Sequence, residues 1–214
     1  MLSALFLAVA LSSAAPAGTP HADPLSGAIR HFDTVQSYRV TIRSTHAEGG
    51  EEHVRYYYKK PGFVRIEFIE PHAGAIMIYN PNSRQVRLWP WGIGNFPELG
   101  LSPDSTIIRS LSGVSVDHSD VGTLFQNIRT LLERGSIEIL GEEARDGRTI
   151  QHFIVTGGDG VTVIDVHSSE LWLDAESQFP AKLISRDIHG AIIETVVMEE
   201  LEINGEMPET LFNP

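Results

Sequence analysis

Two short stretches of this 214-residue chain bring together side chains able to move protons. Asp117, His118 and Asp120 form a carboxylate–imidazole–carboxylate set suited in principle to general acid–base work. Asp165 and His167, two positions apart, would put a carboxylate and an imidazole on one face of a strand. Catalysis asks for more than nearness in sequence: a nucleophile, a base, and a group that orients the base. No G-x-S-x-G elbow, H-E-x-x-H, P-loop or G-x-G-x-x-G occurs. With no cysteine, a thiol nucleophile and a zinc–thiolate site are excluded. The nine histidines, at 21, 31, 46, 53, 72, 118, 152, 167 and 189, show no pair at the spacing of a metal site. The simpler reading of 117–120 is a helix start, in which Ser119 or Asp117 caps backbone N–H groups and Asp120 favours the dipole. Asp165 and His167 then form a surface polar pair. We expect no catalytic residue, no metal, no cofactor and no enzymatic activity.

What remains is apolar surface, and the elements that would present it are legible. Asp23-Pro24 reads as an N-cap followed by a first-turn proline. Leu25, Ala28, Ile29, Phe32 and Val35 follow at helical spacing. A second amphipathic helix carries Val121, Leu124, Phe125, Ile128, Leu131 and Leu132 and closes at Arg134-Gly135. Between and after them lie about ten alternating segments: 38–45, 54–59, 63–69, 74–79, 85–89, 137–143, 149–156, 161–174, 181–186 and 191–201. Turn residues separate them at Gly49-Gly50, Pro61-Gly62, Asn80-Pro81, Asp146-Gly147 and His189-Gly190. Such a run is an antiparallel meander, and a sheet this long curls or closes.

Strand alternation assigns Val54, Tyr56, Tyr58, Val64, Ile66, Phe68, Ile76, Ile78, Val86 and Leu88 to one apolar face. Arg55, Tyr57, Lys59, Arg65, Glu67 and Arg87 take the opposite face, towards water. A filled core satisfies this pattern. If the helices cover only part of the apolar face, the rest is a groove for an apolar ligand. Trp89 to Pro97 reads as an aromatic, glycine- and proline-rich loop.

The formal net charge is -12, which argues against nucleic acid and against an anionic membrane face. Residues 1–17 carry a short apolar run, Leu2 to Leu11, and an A-x-A-like site at Ala15-Pro16-Ala17. They read as a signal peptide without a basic n-region; the alternative is a buried N-terminal helix. Residues 18–214 are expected to form one exported, soluble domain, monomeric and without disulfides or a lipid-anchoring cysteine.

The order of features resembles the LolA-like periplasmic lipoprotein carriers and outer-membrane lipoprotein-sorting proteins. The resemblance rests on Tyr58-Lys59-Lys60-Pro61-Gly62-Phe63-Val64-Arg65-Ile66-Glu67, on Ile78-Tyr79-Asn80-Pro81, and on Leu171-Trp172-Leu173-Asp174. The closing segment Ile203-Asn204-Gly205 to Pro208 and Leu211-Phe212 adds to it. It implies a mainly β fold with α: a strongly curved, unclosed antiparallel barrel covered by two or three helices. Its concave face would bind the acyl chains of a lipid or lipidated protein. It also implies that Lys60 faces the cavity and helps keep the helical lid closed, with Trp89 and Trp91 at the rim. Lys60 stands where the carriers usually have arginine, and lysine cannot make the planar two-pronged contact. The segment 109–120 has no counterpart in well-described carriers. A sensor on the same fold, binding an inner- or outer-membrane protein, is the alternative function.

Overall fold

The computed structural model describes residues 23–108 and 113–214. The proposed signal peptide and residues 109–112 of the polar run lie outside them. Helix α1, Pro24–Phe32, begins as read: Asp23 Oδ1 accepts from the Leu25 amide at 3.0 Å, and Asp23 Oδ2 accepts from the Ser26 hydroxyl at 2.7 Å. Its stripe of Leu25, Ala28 and Phe32 is buried. Val35, assigned to the same stripe, is buried in the turn that follows.

Strands β1 (Ser37–His46), β2 (Glu51–Lys59), β3 (Phe63–Glu70), β4 (Ile76–Asn80), β5 (Gln85–Trp89) and β6 (Leu99–Leu101) form a meander. A single 3-10 turn, Val116–His118, leads into helix α2, Val121–Leu132. A second meander follows: β7 (Ser136–Arg145), β8 (Arg148–Thr156), β9 (Ser168–Asp174), β10 (Pro180–Arg186) and β11 (Ile192–Ile203). All eleven strands share one antiparallel sheet, in the order β6-β5-β4-β3-β2-β1-β11-β10-β9-β8-β7. The two wings join only at β1 and β11, and β6 and β7 remain as free edges. The sheet is therefore an unclosed half-barrel.

The connection from β6 to β7 passes from one edge of the sheet to the other and carries α2 across the concave side. There Phe125, Ile128 and Leu131 join Phe153, Val155, Leu171 and Leu173 from the second wing and Phe32 from α1 in one core. Full burial of side chains this size contributes about 1.5–3 kcal/mol each. The ten expected strands become eleven because Leu99–Leu101 was too short to read. Residues 161–167, expected to begin β9, form a tight turn instead: Ile164 and Asp165 have positive φ and Val163 pairs with Val166. His167 Nδ1 lies 2.8 Å from the Val161 carbonyl, so Asp165 and His167 do not share a strand face.

A half-filled concave face

The register of the first wing shows which side chains share the concave face. Tyr58 faces Val64, Tyr56 faces Ile66 and Val54 faces Phe68. Val64 then faces Tyr79 and Ile66 faces Met77; Tyr79 faces Val86 and Met77 faces Leu88. Eight of the ten predicted cavity residues are thus on one face. Ile76 and Ile78 are not: they pair with Glu67 and Arg65 on the convex side. Strand β4 reads Ile-Met-Ile-Tyr and is apolar on both faces, so alternation alone leaves its orientation open. Met77 and Tyr79 take the concave positions.

The convex positions are occupied because the C-terminal segment lies on them. Ile78, Trp89 and Phe212 form a second buried cluster, flanked by Tyr57, Phe63, Ile76, Met207 and Leu211. Arg65, expected to face water, is only 8% exposed. Its Nη1 donates to the Leu211 carbonyl at 2.9 Å and its Nε to Glu67 Oε1 at 2.9 Å. Trp89, expected at the cavity rim, belongs to this cluster, with the Arg87 guanidinium 4.6 Å from its ring centre. Trp91 is exposed, as is Phe96 in the same loop, at 66% and 91%.

The concave face itself divides in two. At the end nearest α1 it is filled. Tyr38 stacks on Tyr56 and Tyr58 with ring centres 5.9 and 5.2 Å apart, and Phe32 and Phe179 pack against this group. Lys60 stands at this closed end, but its Nζ donates to the Asp33 carbonyl at 2.7 Å. It fastens the last turn of α1 through a backbone carbonyl and does not reach the apolar space, in keeping with the preference for cations at helix C-termini. Burial pushes the phenols of Tyr38 and Tyr56 well up from their ordinary range, and that of Tyr58 up to about 12.

The tyrosine hydroxyls also hold the roof. Tyr38 Oη accepts from the Val121 amide at 3.1 Å, and Tyr56 Oη lies 3.0 Å from Ser119 Oγ, which donates to the Val116 carbonyl at 2.7 Å. The residue that caps α2 is Asp120, not Ser119 or Asp117: its Oδ1 accepts from the amides of Gly122 and Thr123 at 2.8 and 3.1 Å. Asp117 is half-buried. Burial alone would raise its carboxyl, but bonds from Ser115 and His118 outweigh it and hold the carboxyl below its usual range. A carboxylate so occupied is poorly placed to serve as a base. The described residues contain no His, Asp or Glu cluster able to hold a metal ion.

Beyond Tyr56 the face is open. A cavity of about 500 Å³ lies between β2–β5 and residues 107–108 and 114–119. Its floor is Val54, Ile66, Phe68, Met77 and Leu88; its roof includes Ile107, Ile108, Val114 and Val116. Four of the predicted residues line it: Val54, Ile66, Phe68 and Leu88. Tyr56, Tyr58, Val64 and Val86 belong to the filled end. Its polar lining comes from Glu52, His72 and Ser119. Glu52 and His72 were missed in the sequence because one sits at the start of β2 and the other in the turn after β3, where alternation stops being informative. A smaller space of about 100 Å³ lies on the far side of Val114, between α2 and the second wing.

The sequence matches no protein family profile and no curated protein. Solved structures do match. An uncharacterized conserved protein from Thermus thermophilus is 10% identical, with a TM-score of 0.51 over 87% of this chain and 90% of its own. MucB is 16% identical, with a TM-score of 0.52 over 91% of this chain; the match spans 63% of the MucB chain. A LolA superfamily protein from Nitrosomonas europaea is 13% identical over 89% of this chain and 98% of its own, with a TM-score of 0.36. At such identities the likeness speaks for architecture alone, and the architecture, an eleven-stranded unclosed antiparallel sheet with two helices on its concave side, is the half-barrel that the sequence resemblance implied.

Proposed function

We propose that this protein is a soluble, exported carrier that holds one apolar chain of a lipid or lipidated protein, and that it works in the periplasm without catalysing a reaction. The observation that carries this reading is the cavity of about 500 Å³ on the concave face. Small-molecule pockets span about 300–1,000 Å³, with a mostly apolar wall and a few polar groups. A closed sandwich would have filled this space; here only the α1 end is filled. The described helices include none long and apolar enough to cross a membrane.

The test is uptake of a fluorescent acyl probe, with native mass spectrometry of the purified protein for retained lipid. Ile66→Glu puts a carboxylate in the floor of the cavity and should weaken uptake by at least about tenfold, since an unpaired buried charge is expensive. Ile66 is only half-buried and fronts open space, so the far-ultraviolet circular dichroism should not change. A protein that takes up no probe and carries no lipid overturns the reading. The exposed aromatics of the loop 90–97 favour a second reading, a protein partner docked there, since exposed aromatics suit interfaces. Capture of one stoichiometric partner by crosslinkers placed in that loop, with no lipid retained, would favour it.

A further inference from the structure

The cavity is apolar along most of its length and carries a carboxylate at one end. Glu52 lies on β2, two residues before Val54, and its register partner is Ser44 on the concave face of β1. It lines the cavity together with His72 from the β3–β4 turn. Among the described residues no donor is hydrogen-bonded to its carboxylate. The nearby imidazole of His46 is already engaged, 3.4 Å from Glu194 Oε1 on β11, with both side chains largely buried. Loss of water around Glu52 raises its carboxyl from the ordinary range, against the opposing pull of His46 and His72. Among the described residues the one formal charge lining the cavity is therefore negative, partly stripped of water, and not paired with a cation.

Resting on the carrier reading above, we infer that the cavity selects amphiphiles whose polar end is cationic, a protonated amine or an equivalent donor-rich head, seated against Glu52 with His72 beside it. The apolar chain then runs from that end over Phe68, Ile66 and Met77 towards the wall made by Tyr56. An anionic head would meet Glu52 at close range and leave it unpaired. A neutral hydroxyl offers one bond of ordinary strength, whereas an ammonium supplies a charge-assisted bond about twice as strong.

The test compares dodecylamine, dodecanol and dodecanoate on the full chain by titration calorimetry at neutral pH, below the concentrations at which they aggregate. The amine should bind about tenfold more tightly than the alcohol, and the carboxylate most weakly. Glu52→Gln should bring the amine down to the alcohol's affinity and leave the alcohol unchanged. Glu51→Gln, at the exposed neighbouring position on the other face, should change nothing, which separates Glu52 from the general pull of a chain with net charge -12. If all three bind alike, if dodecanoate binds best, or if Glu51→Gln acts like Glu52→Gln, the head-group inference falls and the carrier reading stands. If none binds, both fall. The ranking on the unaltered protein decides the matter even should Glu52→Gln fail to fold.

Discussion

Tyr38, Tyr56 and Tyr58 fill the closed end, and Tyr38 and Tyr56 also bond to the roof above it, which makes those two both packing and fastening. Their phenols are held protonated by burial. A raised phenol favours the folded state at low pH: its contribution is whole below about pH 10, where the unfolded phenol titrates, and is lost as pH rises through the folded value. For Tyr58 the loss runs up to about pH 12. Stability from denaturant titrations should therefore fall steeply above about pH 10, and Tyr58→Phe should make that fall shallower by about one proton. An unchanged slope would mean that Tyr58 titrates freely in the fold. Much at this scale was legible. Alternation placed Val54, Ile66, Phe68 and Leu88 on the face that bounds the cavity. It failed at Ile76, Ile78 and Trp89 because what decides their face is the chain's last ten residues folding back over them, with Arg65 buried beneath. No local pattern in β4 records a contact with residues more than a hundred positions away.

Helix α2 shows how the elements are fitted. Its first turn carries Gly122 against the Phe32 ring, and a Cβ at that position would overlap the ring. Gly122→Ala raises helix propensity, worth at most about 1 kcal/mol. Pushing Phe32 out of the aromatic group costs about 1–3 kcal/mol. The variant should lose about 1 kcal/mol of stability in chemical denaturation, a sign opposite to that of most glycine-to-alanine changes in helices. A gain would show that α1 shifts freely. Both helices were readable from their stripes and caps, although the cap of α2 moved by one residue to Asp120. Residues 161–167 misled because Val161, Val163 and Val166 look like strand but pack as a turn against the core.

Across the molecule, two meanders meet at one seam. β1 and β11 pair over most of their length, from Tyr38 with Ile203 to His46 with Glu194, and Asn204 Oδ1 closes the end by accepting from the Gln36 and Ser37 amides at 2.7 and 3.2 Å. The half-barrel was legible from the number of strands and the scarcity of helices to cover them. The strand order, with first and last strands adjacent, was not legible, because pairing across some 160 residues leaves no periodic trace. That seam bears on how the chain folds. Contacts so distant in sequence form late, since their loop must close before they give anything back. Every described residue lining the cavity, however, comes from the single stretch 52–119. The cavity lining is local even though the sheet is not. A bound amphiphile can thus act as a template on the first wing while the second is still unpaired. Refolding a Trp89→Phe, Trp91→Phe variant with dodecanol present should then bring the tyrosine fluorescence of the first wing to its native value sooner than the signal of Trp172 on β9, its one remaining tryptophan. Equal acceleration of the two would mean that the seam, and not the ligand, sets the order of assembly.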